Sequence, residues 1–168
     1  MLLSFPDRNP VSVVATSKTA AFFGTSTAAN KYRKSIKTDP KLLLAMVIPA
    51  FIGACGGALL ASHISPTSFK SAIFFMMIAI FIYTLAKPDL GKVHVEKHSQ
   101  KRLTVIGAIA ATVIGFYDGL IGPGTGTMLM IALVAIMGFA FVGASAIAKV
   151  VNATTNLASI IVVGLRIG

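Results

Sequence analysis

Charge is scarce in this chain. Asp, Glu, Lys and Arg make up 12% of its 168 residues, where a soluble domain averages about 25%. A soluble domain of this length needs a polar shell, and too few residues are present to build one. Disorder is excluded on the same ground, since 55% of the residues are hydrophobic and the mean hydropathy is +0.84. The single cysteine, Cys55, excludes an intrachain disulfide and a multi-cysteine zinc site. An integral membrane protein is the class that remains.

Acidic residues are the scarcer sign, 5 against 15 Lys and Arg, for a net charge of +10. The position of the basic residues argues against a nucleic-acid partner. Five lie in 31–41 (Lys31, Arg33, Lys34, Lys37, Lys41) and five in 87–102 (Lys87, Lys92, Lys97, Lys101, Arg102). Both clusters separate long apolar runs, the pattern of cytoplasmic loops between membrane spans. A basic patch without a groove-reading module is only an electrostatic footprint.

The apolar runs are Val11–Ala29, which is weak and rich in Ser and Thr, Leu42–Ser62, Ser68–Ala86, Leu103–Ile121, a short Thr127–Val142, and Ala144–Leu165. Most approach the roughly 20 residues that a helix needs to cross about 30 Å of hydrocarbon. They are too long and continuous for barrel strands. The expected fold is all-α: a polytopic transmembrane helical bundle of about six hydrophobic segments. Asp39 before Pro40, and Ser65 before Pro66, read as N-caps with proline at the first helical position. Ala50, Ala54 and Ala58, with Gly53, Gly57 and Ala61, give the second span a face of small residues suited to close helix packing. Met1–Pro10 contains no apolar core of a signal peptide.

The first and sixth spans resemble each other. Each has an alanine three residues before a lysine, Lys18 or Lys149, and Ser, Thr or Asn six to nine residues after it. Placing Lys18 on Lys149 sets an offset of 131 residues (149 less 18). Alternating topology runs the two spans in opposite directions, as in the inverted repeats of many secondary transporters.

Lys18, Asp118 and Lys149 fall inside spans, where charge is costly and usually faces the bundle interior or a water-filled path. Snorkelling to the interface is the alternative for either lysine. Asp118 lies in Gly115-Phe-Tyr-Asp-Gly-Leu-Ile-Gly-Pro-Gly-Thr-Gly126, which cannot continue a straight helix. It reads as a helix break with freed amides at the start of the next helix, an anion site, or as a plain turn outside the membrane.

Other motifs fail. Gly122-x-Gly124-x-Gly126 follows no strand and has the wrong spacing for a dinucleotide. Tyr117-Asp118 lacks the second carboxylate that an aspartyl protease shares a proton with. His94-Val-Glu-Lys-His98 lacks further ligands for a metal. Asn152-Ala-Thr154 is a glycosylation sequon inside a span, where it cannot be used. No nucleophile–base pair marks an enzyme.

The Gly115–Gly126 segment, followed by Ala144-Ser-Ala-Ile-Ala-Lys-Val-Val-Asn-Ala-Thr-Thr-Asn156, resembles the TauE/SafE sulfite-exporter family, and Val14-Ala-Thr-Ser-Lys18 resembles that family's other repeat. The resemblance implies a multi-pass transporter of the bacterial inner membrane. Members are linked to export of sulfite or organosulfur anions. The chain then reads as one membrane domain, 1–168, with 1–86 a partial first repeat, 87–102 a cytoplasmic linker and 103–168 a partial second repeat. By the offset, a complete repeat pair is expected over roughly 245 residues, from about thirty before Met1 to about 217. The 168-residue form alone is expected to be unstable and inactive.

The substrate-binding residues expected on this reading are Lys149, Asn152, Thr155 and Asn156 from one repeat, and Lys18 with Thr25 or Ser26 from the other. The amides of Gly122, Gly124 and Gly126 would lie opposite. The lysines supply charge, and the hydroxyls and amides supply hydrogen bonds to oxyanion oxygens. Asp118 is expected to couple protons or anchor a helix. No cofactor and no metal are implied; the partners are a small anion and the lipid bilayer. The alternative is a non-transporting membrane fragment or assembly partner from a truncated gene.

Loops 31–41 and 87–102 are expected on the cytoplasmic side and 62–67 outside, because ten basic residues lie in the first two and none in the third. Ser35→Cys, Ser65→Cys and Ser99→Cys, each in a Cys55→Ala background, test this in intact cells. An impermeant thiol reagent should label position 65 alone; labelling of 35 and 99 instead would reverse the orientation.

Overall fold

The computed structural model describes residues 10–35, 39–61, 63, 66–86 and 99–167. Helix α1 spans Pro10–Ser35, α2 Pro40–Ala61, α3 Pro66–Ala86 and α4 Gln100–Leu120. Helix α5, Thr125–Ile131, runs on into a π-helical turn, Ala132–Ile136, and α6 spans Phe141–Ile167. The chain is therefore all-α, with a helix for every expected apolar run and no strand among the described residues. Of the two basic loops, residues 36–38 and 87–98 lie outside the described residues, as do Ser65 and the His94–His98 motif; the expected loop 31–41 is narrower, because α1 continues through Ser35 and α2 begins at Pro40.

Among the described residues, three helices are long and apolar enough to cross a membrane: Pro40–Ala61, Gln100–Leu120 and Phe141–Leu165. The expected fifth span, Thr127–Val142, is corrected. The apolar helix there covers Thr125–Ile136, about 18 Å at the helical rise, against about 30 Å of hydrocarbon. Gly138, at φ 85°, ends it, and α6 begins three residues later at Phe141.

The cap at Asp39 is formed as the sequence predicts. Its Oδ1 accepts from the Lys41 amide at 2.9 Å. Its Oδ2 accepts from the Gln100 side chain, which ties the start of α2 to the start of α4. From there the two helices run side by side in the same direction. Leu42 and Met46 meet Gly107, Ala50 meets Gly115, and Gly57 meets Phe116 and Leu120. The contact is backbone on backbone. A Cβ at Gly115 would stand 2.5 Å from the Ala50 carbonyl oxygen, and one at Gly119 would overlap the Ala54 carbonyl. In lipid no water is released when two helices meet, so close approach through small residues supplies the attraction. Leu129, Leu133, Ile147 and Val151 from α5, the π turn and α6 complete the core beside this pair.

The outer surface is apolar. Ile52, Phe75, Phe81 and Val113 are each more than 60% exposed, as suits helices facing hydrocarbon rather than water. Buried positions instead hold Gly, Ala, Thr and Ser beside the larger core side chains.

Gly119→Ala should destabilise the fold by about 1–3 kcal/mol, because the obstacle is helix backbone and cannot turn aside. Gly24→Ala in α1, where a Cβ meets nothing within 4 Å, should be neutral or slightly stabilising. Thermal inactivation midpoints in detergent compare the two; equal midpoints would contradict the backbone contact.

Candidate functional site

The Gly-rich segment after α4 is a tight turn with two sides. Gly122 (φ 94°) and Gly124 (φ 85°) both adopt the left-handed conformation that side chains disfavour. The Tyr117 hydroxyl braces the turn by donating to the Pro123 carbonyl at 2.6 Å. The amides of Ile121 and Gly122 both point to the Tyr117 carbonyl. Asp118's own carbonyl is left outside the helical ladder.

On one side of the turn, Lys18 from α1 takes up what the turn leaves free. Its Nζ lies 2.6 Å from Asp118 Oδ1 and donates to the Asp118 carbonyl at 2.6 Å. Both side chains are buried, at 6% and 2% exposure. Thr125 Oγ1 lies 2.6 Å from Asp118 Oδ1 and 2.6 Å from the Gly122 carbonyl. Asp118 Oδ2 is buried and has no hydrogen-bond partner among the described residues. A Cβ at Gly122 would stand 3.0 Å from Lys18 Cε and Nζ, so the glycine also makes room for the lysine.

On the other side lies a cleft of about 470 Å³, lined by Gly124, Gly126 and Thr127 of the turn and α5, Met130, and Phe141, Ser145, Ala148 and Lys149 of α6. Lys149 is half-buried and forms no ion pair among the described residues. The Asn152 amide nitrogen is 3.5 Å from the Cβ position of Gly126. The expected set is thus divided. Lys149, Gly124, Gly126 and Asn152 come together. Lys18 and Gly122 belong to the ion-paired side. Thr155 is buried with its hydroxyl on the Asn152 carbonyl, and Asn156 donates to the Asn152 side chain at 3.4 Å. Thr25 is buried and bonded to the Ala21 carbonyl; Ser26 is half-buried.

Thr127, Ser145, Met130 and Phe141 were not expected at the site. Ser145 had a readable signal, one turn before Lys149 on the same helix face. Met130 and Phe141 had none, since apolar residues at helical spacing read as core or lipid face. Among the described residues no three His, Cys, Asp or Glu side chains group as metal ligands.

A helical membrane protein with a glycine turn facing an intramembrane lysine is the class this arrangement defines. The chain belongs to the family described as "Sulfite exporter TauE/SafE", whose model matches residues 1–167. It is 34% identical over 148 residues to "Probable membrane transporter protein ORF9" of Sinorhizobium sp., covering 88% of this chain and 56% of that protein. It is 34% identical over 152 residues to a "Probable membrane transporter protein" of Haemophilus influenzae, covering 89% and 58%. It is 33% identical over 158 residues to "Probable membrane transporter protein YfcA" of Escherichia coli K12, covering 91% and 56%. The chain therefore spans a little over half the length of these curated relatives. No solved structure matches it.

Removing one member of the buried pair strands the other. Lys18→Met alone should destabilise by about 3–5 kcal/mol, and adding Asp118→Asn should recover most of that loss. Thermal midpoints of the two variants in detergent are the measurement; a double variant no better than the single would argue against a direct pair.

Proposed function

We propose that the protein acts in secondary transport of a small anion, such as sulfite or an organosulfur anion, with the Lys149 cleft as the place where the anion binds. The observation that carries this reading is the difference between the two intramembrane lysines. Lys18 is neutralised by Asp118, whereas Lys149 stands on the cleft with no carboxylate paired to it among the described residues. A half-buried ammonium without a counter-ion is stabilised by a bound anion, more so in a low-dielectric setting. Lys149 lies about two turns inside α6, which disfavours simple snorkelling.

Each lining residue has a role in this reading. Lys149 supplies the charge. Thr127 and Ser145 on the wall, and Asn152 beside Gly126, offer hydrogen bonds to oxyanion oxygens. Met130, Phe141 and Ala148 keep water from competing for them. The cleft volume falls within the 300–1,000 Å³ or so of ordinary ligand sites. Family membership and the relatives' names support the transport class. We place the protein in the bacterial plasma membrane with loops 31–41 and 87–102 in the cytoplasm, and read α1 and α6, which pack on each other, as corresponding helices of two inverted repeats.

Sulfite flux into proteoliposomes containing the full-length protein tests the reading. Lys149→Ala should lower flux by about tenfold or more, the scale of one lost charged hydrogen bond, without loss of membrane insertion. Lys149→Arg should restore little, because a planar fork replaces a compact ammonium. Undiminished flux in Lys149→Ala would refute the site.

A further inference from the structure

A serine or threonine inside a helix commonly bonds back to its own helix, to the carbonyl four residues earlier. This chain follows that rule along α1, α3 and α4. Thr25 donates to the Ala21 carbonyl at 2.7 Å, Thr84 to Ile80 at 2.8 Å and Thr112 to Ala108 at 2.8 Å. On α6, Thr154 donates to Val150 at 3.0 Å and Ser159 to Thr155 at 2.9 Å. Ser145, on the same helix, departs from the rule. Its hydroxyl turns off its own helix and crosses to α5, where it donates to Met130 Sδ at 3.4 Å. A thioether is a weak acceptor, so the hydroxyl has exchanged a carbonyl for something poorer. Both residues line the cleft beside Lys149.

We propose that Ser145 and Met130 together set the anion selectivity of the Lys149 cleft, with Met130 holding the Ser145 hydroxyl out for an oxyanion and giving it up when one binds. The proposal rests on the reading of this cleft as the anion site. Ser145 and Lys149 are four residues apart, neighbours one turn along a helix face. An oxyanion carries several acceptor oxygens on one centre, so one oxygen can meet the ammonium while another takes the hydroxyl. A halide presents a single point and is a weaker acceptor. It gains the charge of Lys149 and little more. A hydrogen bond to a charged oxygen is about twice as strong as a neutral one, so the oxyanion takes the hydroxyl from the sulfur. Only hydrogen bonds are exchanged; no proton is transferred.

The part played by Met130 follows from its chemistry. It is an apolar wall residue, as Phe141 and Ala148 are, yet its sulfur accepts a weak hydrogen bond. Leucine has similar bulk and no acceptor. With leucine at 130 the hydroxyl loses its partner across the cleft and falls back on its own helix, as Thr154 and Ser159 do. An anion must then break a carbonyl bond to use it, which costs more than displacing a thioether. Met130 is thus a positioning residue that acts through Ser145, and Ser145 is the residue that touches the anion.

Sulfite flux into proteoliposomes holding the full-length protein, measured against sulfite concentration and against added bromide, tests the proposal. Ser145→Ala should raise the half-saturating sulfite concentration about tenfold, the scale of one hydrogen bond to a charged group. The excess of bromide over sulfite that halves the flux should fall by a similar factor, because bromide does not depend on the hydroxyl. Met130→Leu should move both quantities in the same direction and by less. Adding Met130→Leu to Ser145→Ala should change neither further, since the methionine acts through the hydroxyl. Thermal midpoints in detergent check that each variant is folded. Effects that multiply in the double variant overturn the proposal. So does a wild-type half-saturation in Ser145→Ala, or a loss that weakens sulfite and bromide alike. Lys149→Ala is measured beside them. If it lowers flux while Ser145→Ala is silent, the selectivity pair alone is refuted; if it too leaves flux undiminished, the anion site itself fails.

Discussion

A charge buried among apolar helices must be paired, and much of the site follows from how this chain meets that demand. Lys18 is carried into the bundle by α1, the least apolar of the longer segments. Its partner Asp118 sits at the last turn of α4, where the helical ladder runs out. The pairing joins segments a hundred residues apart and holds the glycine turn against α1. It also decides which lysine faces the cleft without a carboxylate.

The frame behind the turn rests on a different force. Helices α2 and α4 touch along their backbones because glycine and alanine recur at four-residue spacing on both. That contact needs no large side chains, so Phe, Ile and Leu are free to point outward. The result is an apolar exterior and an interior of small and polar residues. In such an interior a threonine or asparagine either bonds to its own helix, as Thr25 and Thr155 do, or stands at a cavity.

The turn connects these two features. It is short enough to be braced by a single tyrosine hydroxyl, and its glycines leave space on both sides. Lys18 fills the space at Gly122. Ile80 of α3 closes on Gly124, where a Cβ would come within 2.5 Å of it. Gly126 faces Asn152. Larger residues here would block the lysine, displace α3 or narrow the cleft.

The helical class, the helical segments at each expected run, the Asp39 cap, the small-residue face of α2 and the break after Asp118 were all legible in the sequence. Each depends on local composition or spacing, which the chain carries along its length. The length of the fifth helix was not legible, because Gly138 reads as one more small residue in an apolar run until its backbone angle is known. Nor could spacing separate Lys18 from Lys149. Both are lone lysines in Ser- and Thr-bearing helices, and both looked equally suited to an anion. Whether a charge is already neutralised depends on a partner brought from far along the chain, and only the packing of α1 against the α4–α5 turn decides that.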